Sequence, residues 1–318
     1  MHAAVVHAYG EAPRYESLPD PEAAPGEVIV DVVAAGLHPL VRSVASGRHY
    51  TSDGTLPLVP GFDGVGRTPD GTLAYFAGRS GGNGSMAERV AVPERALVPL
   101  PDGLDPVTVA ALMNPAMSAW LALRDRAGLR AGESVLVLGA TGSAGRMAVQ
   151  LARHLGAAEV VAAGRDADAL HRLTAIGADR TVSLSAPDDD LTAAVAKAAA
   201  DVDVVVDYVW GRPAELALAA LTSARRDSAH PLRWVHVGAT AGPTITLPAA
   251  TLRKTAVEFR GSGLGSVAPD RMDAALRELV ALLPSAGLHT ATATTPLSDV
   301  QRAWDAELPS GTRLVLLP

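Results

Sequence analysis

Two neighbouring segments carry residue types and spacings suited to chemistry. The first, Ser134-Val-Leu-Val-Leu-Gly-Ala-Thr-Gly-Ser-Ala-Gly145, reads as a buried strand entering a tight turn, and a helix then runs on toward Gly156. Thr141, Gly142, Ser143, Ala144 and Gly145 form the turn and the helix start. Small residues there let backbone approach backbone, and the free amides and positive end of the helix face outward. That arrangement suits an anion such as a dinucleotide pyrophosphate. The second segment is the strand Glu159–Ala163, which ends in Gly164-Arg165-Asp166. A site for NADH wants a carboxylate about 20 residues past the glycines, to bind the ribose hydroxyls. Here Gly164 leaves room and the Arg165 guanidinium matches a 2′-phosphate, which favours NADPH. The alternative reading makes Arg165 a solvated residue at a helix start, with Asp166 capping that helix or holding a ribose. The glycine pattern has Ala140 in its first position and by itself also describes a turn without a ligand. The order strand, turn, helix, strand makes it a nucleotide signature.

Other elements must position these segments. Residues 1 to about 113 read as short strands (Ala3–Ala8, Glu27–Ala34, Leu73–Ala77, Ala87–Val92) broken by Pro and Gly. Helical apolar spacing takes over from Pro106 to about Ala127, through Val109, Leu112, Met117, Trp120, Leu121 and Leu123. Strand patterns at Ser134–Leu138, Glu159–Ala163, Thr181–Leu184, Val202–Asp207, Trp234–Val237 and Val257–Arg260 then alternate with helices over 144–155, 166–176, 188–200, 213–224 and 270–283. This is the signature of a doubly wound parallel sheet, and so of an α/β fold. The tail Arg313–Pro318 reads as a strand returning to the first domain. The 318 residues, 48% of them hydrophobic, can bury the cores of two domains. A net charge of −7 without a basic block argues against nucleic acid as a partner. The N-terminus has no signal pattern, and no apolar run in the sequence stands out as long enough to cross a bilayer, so the expected location is the cytoplasm. Cysteine is absent, which removes disulfides, thiolate nucleophiles and cysteine-held metals.

Several further segments occur in a family order: Pro25-Gly-Glu-Val28, Ala34-Ala-Gly-Leu-His-Pro39, Ser46-Gly-Arg48, Val59-Pro-Gly-Phe-Asp-Gly64, Ala87-Glu-Arg-Val90, Leu100-Pro-Asp-Gly103, Ala131-Gly-Glu133, Gly177-Ala-Asp179, Val235-His-Val-Gly238 and Arg260-Gly-Ser262. With the Ala140–Gly145 turn they span nearly the whole chain, which resembles the zinc-independent medium-chain dehydrogenase/reductases of the quinone oxidoreductase-like branch. The resemblance implies a GroES-like β-rich catalytic domain from both chain ends, expected at 1–116 and 267–318. It also implies a central Rossmann NAD(P)-binding domain at 117–266, and a homodimer, with the Val257–Arg260 strand pairing edge to edge as one way to form it.

In zinc-dependent relatives, metal ligands occupy the positions held here by His38, Phe62 and Asn114. This donor set cannot supply three zinc ligands, so no metal is expected. Zinc-free relatives usually carry asparagine where His38 stands. His38 is therefore either a pocket donor or general acid, or a histidine hydrogen-bonded in a loop. Tyr50, beside the alternative register at His49, either donates to a substrate carbonyl or covers a loop. Asn114 is a polar side chain in an apolar helix, placed to meet a nicotinamide carboxamide or to break the helix ahead of Pro115. The resemblance also puts Gly238-Ala239-Thr240, Gly263-Leu264 and Tyr208-Val209 around the nicotinamide half of the cofactor. Trp210 either narrows the cleft or packs. Ala169 and Leu184 replace a lysine and a tyrosine common in NADPH-preferring relatives, so the NADPH preference leans on Arg165.

These residues together suggest NADPH-dependent, metal-free hydride transfer to a conjugated carbonyl, a quinone or an enone. Two alternatives stay open: a zinc-free alcohol or ketone oxidoreductase, and a non-catalytic NADPH-binding protein. A short-chain dehydrogenase is disfavoured, since none of the five tyrosines has a lysine four residues on. The loop Gly47–Pro57 and the stretch Gly78–Gly84 are expected to shape the substrate pocket without naming the substrate.

Overall fold

Apolar runs cut by Pro and Gly make the first part of the chain strand-rich, as expected. In the computed structural model, which describes residues 1–52, 54–77 and 84–318, these are β1 (His2–Val5), β2 (Arg14–Ser17), β3 (Glu27–Leu37), β4 (Asp63–Arg67), β5 (Leu73–Ala77), β6 (Arg89–Pro93) and β7 (Leu97–Pro99), with the short helix α1 (Pro39–Ala45) after β3. Helix α2 (Pro106–Trp120) follows and continues through a π-helical turn, Leu121–Ala127, that ends at left-handed Gly128. Pro115 lies inside α2, so of the two readings of Asn114 the helix-breaking turn ahead of Pro115 does not form.

The parallel sheet comes next: β8 (Ser134–Leu138), α3 (Ser143–His154), β9 (Glu159–Gly164), α4 (Ala167–Thr174), β10 (Arg180–Ser183), α5 (Asp188–Ala199), β11 (Val204–Asp207), α6 (Gly211–Ala224), β12 (Leu232–His236), α7 (Ala249–Lys254), β13 (Val257–Gly261) and α8 (Pro269–Ala286). Its strands run in the order β10-β9-β8-β11-β12-β13, all parallel. That is the doubly wound arrangement, with the order reversing between β8 and β11. The inner strands β8, β9 and β11 are largely apolar because helices cover both faces; Leu136, Val161, Val205 and Trp234 share one core cluster with Leu191, Val195, Ala217 and Leu221 of the helices. The chain ends with β14 (Ala291–Pro296), α9 (Val300–Ala303) and β15 (Thr312–Leu317).

Contacts divide the chain into two units, Met1–Asn114 with Leu276–Pro318, and Pro115–Ala275. The second division therefore falls inside α8, beyond the 266/267 boundary read from sequence. The first unit holds a mixed sheet of order β14-β15-β3-β4-β5-β7, with β6 also on β3, and β15 returns to it as expected. Its core gathers Val30, Leu37, Phe76, Val90, Trp304, Leu314 and Leu316. Strands β2, β4, β7 and β14 were not anticipated. In β4, Asp-Gly-Val-Gly-Arg offers no apolar alternation. Its pairing depends on closeness instead, since a Cβ on Gly66 would lie 2.3 Å from Val30 Cγ1.

One reading needs correction. The helix Pro106–Ala127 is, by length and composition, apolar enough to cross a bilayer, although no such run was expected. It is mostly buried inside the protein, which is why its surface is apolar all round.

Candidate active site

Five segments meet at the carboxyl ends of the parallel strands. The turn after β8 takes its shape from Gly139, whose φ of 85° lies in the left-handed region, and from Gly139 and Ala140 amides that both donate to the Ala163 carbonyl. A Cβ on Gly145 would fall 2.3 Å from the Gly139 carbonyl oxygen, so α3 can close on the turn only because this residue is glycine. Gly142 is the N-cap of α3 and has no side chain to cap it. The amides of Ser143, Ala144 and Gly145 are thus left for an outside acceptor at the positive end of a twelve-residue helix. Thr141, Ser143 and Ala144 line the same turn and are half-buried.

At the end of β9, Gly164 has a stricter reason to be glycine than room for a phosphate. A Cβ there would meet Thr141 Cγ2 at 2.5 Å. Arg165 is exposed, and its guanidinium has no carboxylate partner among the described residues. Asp166 caps α4, its Oδ1 accepting from the Ala169 amide at 2.9 Å.

The turn after β11 is organised by Asp207. This buried carboxylate accepts from the Val209 and Trp210 amides at 2.8 and 2.9 Å, and from Trp234 Nε1 at 3.1 Å. Burial pushes its pKa up, and those three donors oppose the rise. Trp210 has φ 54°, alone among the described non-glycine residues in being left-handed. Its ring packs edge-on against His236 at 4.5 Å and faces Phe259 at 6.4 Å, so packing accounts for it. Tyr208 is buried, which raises its phenol pKa. The segment after β12 lies along this turn: Gly238 donates to the Asp207 carbonyl, Thr240 to that of Tyr208, and Ala241 to that of Val209. Ala239 is carried between them. After β13, Gly263 and Ser266 close a small loop, the Gly263 amide donating to Ser266 Oγ at 2.8 Å. Leu264 is at its tip. Arg126 holds both ends of that loop, donating to the carbonyls of Gly261 at 2.7 Å and Ser266 at 3.4 Å. The sequence reading had no signal for Arg126.

In the other unit, His38 at the end of β3 is 1% exposed and enters a buried polar cluster. Its Nε2 lies 2.9 Å from Oδ1 of Asp63, and the Tyr75 hydroxyl donates to Asp63 Oδ2 at 2.8 Å. The β4–β5 register explains the meeting. Val65 stands opposite Tyr75, and Asp63, two residues along, shares that face. Buried Arg313 on β15 adds a cation to these surroundings. Burial lowers the His38 pKa, the Asp63 carboxylate opposes that, and Arg313 adds to it. The same burial, with Asp63 beside it, holds the Tyr75 phenol well above its ordinary value. His38 is thus a buried, hydrogen-bonded histidine in the link between β3 and α1, and Asp63 and Tyr75 are partners that the sequence reading did not name.

Tyr50 is 70% exposed, its ring against that of His49 at 4.2 Å. Asn114 sits half-buried in α2, its amide without a side-chain partner among the described residues. Most of Gly78–Gly84, and Asp53 within Gly47–Pro57, lie outside the described residues.

A doubly wound sheet with an open helix N-terminus at its carboxyl edge, in a chain whose two ends build a second, mixed-sheet unit, defines the class of two-unit proteins with a dinucleotide-binding sheet. Residues 144–281 match the family described as zinc-binding dehydrogenase. The chain is similar over its full length to the probable NADPH-dependent quinone reductase tdiC of Emericella nidulans, at 31% identity and covering all of that protein. It is 30% identical to prostaglandin reductase-3 of Bos taurus, over 90% of this chain and 79% of that one. The quinone oxidoreductase of Thermus thermophilus, solved also in complex with NADPH, is 31% identical and superposes with a TM-score of 0.83 over all of both chains. The chain belongs to the medium-chain dehydrogenase/reductase family, in its quinone oxidoreductase-like branch.

Two groups implied by this family can be tested against the residues. A dinucleotide fits: uncapped amides, a backbone packed close enough to reach phosphates, and an unopposed guanidinium are all present. Zinc does not. At the ligand positions, His38 commits Nε2 to Asp63, Phe62 presents a ring edge-on at 6.4 Å, and Asn114 is an amide.

Proposed function

We propose that the protein is an NADPH-dependent, metal-free reductase of conjugated carbonyl compounds, quinones or enones. The observation that carries this reading is the uncapped N-terminus of α3 beside the unopposed Arg165 at the next strand end. The names of the relatives, a quinone reductase and a prostaglandin reductase among them, support the acceptor class.

When bound, NADPH supplies a hydride. The chain's own residues do the rest. The amides of Ser143, Ala144 and Gly145 would take the pyrophosphate, and Arg165 the 2′-phosphate, at a position where NADH offers nothing to hold. The backbone of Tyr208–Val209, Gly238–Thr240 and Gly263–Leu264 would border the nicotinamide half. A conjugated carbonyl is already electrophilic. Positioning, which can supply up to ~7–11 kcal/mol, and one donor aimed at the developing oxyanion therefore suffice without a Lewis acid. His38 or Tyr50 would be that donor, with water as the final proton source. We further propose a homodimer through the edge strand β13, a cytoplasmic location, and no nucleic-acid or membrane partner.

The test is NADPH oxidation against a quinone, an enone and a simple ketone, with NADH in parallel. Turnover of the conjugated acceptors with NADPH supports the reading. Preferential turnover of the simple ketone would move it to an alcohol or ketone oxidoreductase. NADPH binding without turnover of any acceptor would point to a binding protein.

A further inference from the structure

Three arginines are buried among the described residues, and two of them have acceptors or carboxylates around them. Arg225 donates to the carbonyls of Val202 and Pro231, with Asp201, Asp203 and Asp227 nearby. Arg313 has the Asp63 carboxylate beside it. Arg146, in the first turn of α3 and 7% exposed, has neither. Its guanidinium makes no hydrogen bond or ion pair among the described residues, and the one charge acting on it is the positive charge of Arg172. A desolvated cation without an acceptor is costly and calls for an explanation.

The placement of Arg146 supplies one. Side chains on a helix tilt toward its N-terminus, so Arg146 leans toward the uncapped amides at the carboxyl edge of the sheet. Only its Nε is sealed; the two Nη atoms, equally without a partner, reach the surface. Arg172 stands in α4, the helix that opens just after Arg165, and tilts the same way. It is exposed and pairs with no carboxylate among the described residues, not even Asp168 one turn before it. Asp166 commits an oxygen to the Ala169 amide. Three guanidinia without carboxylate partners are thus carried by α3, by α4 and by the end of β9, all within the Pro115–Ala275 unit.

We propose that Arg146 is a specificity-determining residue: with Arg172 it completes, beside Arg165, a cradle for the 2′-phosphate of NADPH. This rests on the reading of the protein as NADPH-dependent. Charge favours that phosphate over the pyrophosphate. A phosphate monoester carries about −1.5 to −2 near neutrality and offers three acceptor oxygens, which guanidinia hold with paired N–H donors. The pyrophosphate, singly charged at each phosphorus, already has the amides of Ser143, Ala144 and Gly145. Binding turns a bare buried cation into half of an ion pair. Arg146 therefore works against the free protein and for the complex, which a residue kept only for packing would not do.

The test is calorimetric titration with NADPH and with NADH, together with thermal melts of the free protein, on wild type, Arg146→Met and Arg172→Gln. Methionine keeps the apolar stem and the helix and removes the charge. NADPH affinity should fall about tenfold or more in Arg146→Met and about threefold in Arg172→Gln, with NADH affinity within about twofold of wild type in both. Free Arg146→Met should melt no lower than wild type. Arg172→Gln changes an exposed position and reads the same ratio without disturbing the buried one. An unchanged ratio of NADPH to NADH affinity in either variant overturns the proposal. Equal losses for both cofactors overturn it too, by giving Arg146 to the pyrophosphate. A lower melting temperature for free Arg146→Met does so as well, by making the residue structural. A wild type with no preference for NADPH overturns the cofactor reading itself. A wild type that prefers NADPH, with the preference intact in Arg146→Met, overturns this inference alone.

Discussion

The carboxyl edge of the parallel sheet and the buried cluster of the mixed sheet are built by opposite means. The edge is made of backbone: turn amides, glycines that tolerate close approach, and carbonyls that zip the segments after β11 and β12 together. The cluster is made of side chains, with His38, Asp63, Tyr75 and Arg313 brought from four separate places in the chain. A backbone site is robust to most substitutions except those that add atoms. A side-chain cluster fails when a single member is removed.

That contrast is broken most severely by Asp63→Ala. It leaves the buried Nε2 of His38 and the buried Tyr75 hydroxyl without their shared acceptor, and each buried polar group so stranded costs about 1–3 kcal/mol. Urea denaturation should show a loss in that range, with little effect if the cluster is incidental. Next is Arg165→Ala. Removing a hydrogen bond to a charged group costs about 1.5–3 kcal/mol, so NADPH affinity should fall about tenfold to a hundredfold while NADH affinity stays put. Equal losses for both cofactors would take the 2′-phosphate away from Arg165. Gly145→Ala should cost about 1–3 kcal/mol of stability by overpacking against Gly139, and should weaken NADPH binding with it. Thermal melts with and without NADPH separate the two effects. Asp166→Ala should cost only about 1 kcal/mol, the worth of the α4 cap, with cofactor affinity nearly unchanged.

A pH titration sharpens the same comparison. His38 binds its proton less readily folded than unfolded, so the unfolded chain takes up more protons as pH drops below about 6.5. Its contribution to stability is therefore present above that pH and is lost as pH falls toward the lowered folded value. The difference in stability between neutral and mildly acid solution should shrink in His38→Asn. An unchanged difference would place the acid sensitivity elsewhere.

What could be read from the sequence follows the same division. The strand–turn–helix from Ser134 to His154, the ends of β9, β11, β12 and β13, and the alternation that makes the sheet are local patterns, and each is found within a residue or two of where it was expected. Local patterns also put Gly164 at the end of β9, but only contact with the Thr141 side chain reveals why a Cβ is excluded there. The cluster was scarcely legible. His38 stood out as an oddity, yet β4 has no apolar alternation to announce a strand, so nothing put Asp63 opposite β5 or beside His38. The apolar span from Pro106 to Ala127 misled for a related reason. Burial inside the protein, which a sequence does not display, accounts for it.

The most direct measurement is a calorimetric titration of the protein with NADPH and with NADH, repeated on Arg165→Ala. NADPH binding tightly, NADH at least about tenfold more weakly, and the gap closing in the variant is the predicted result. Equal affinity for the two cofactors in the wild type, or binding of neither, would contradict it.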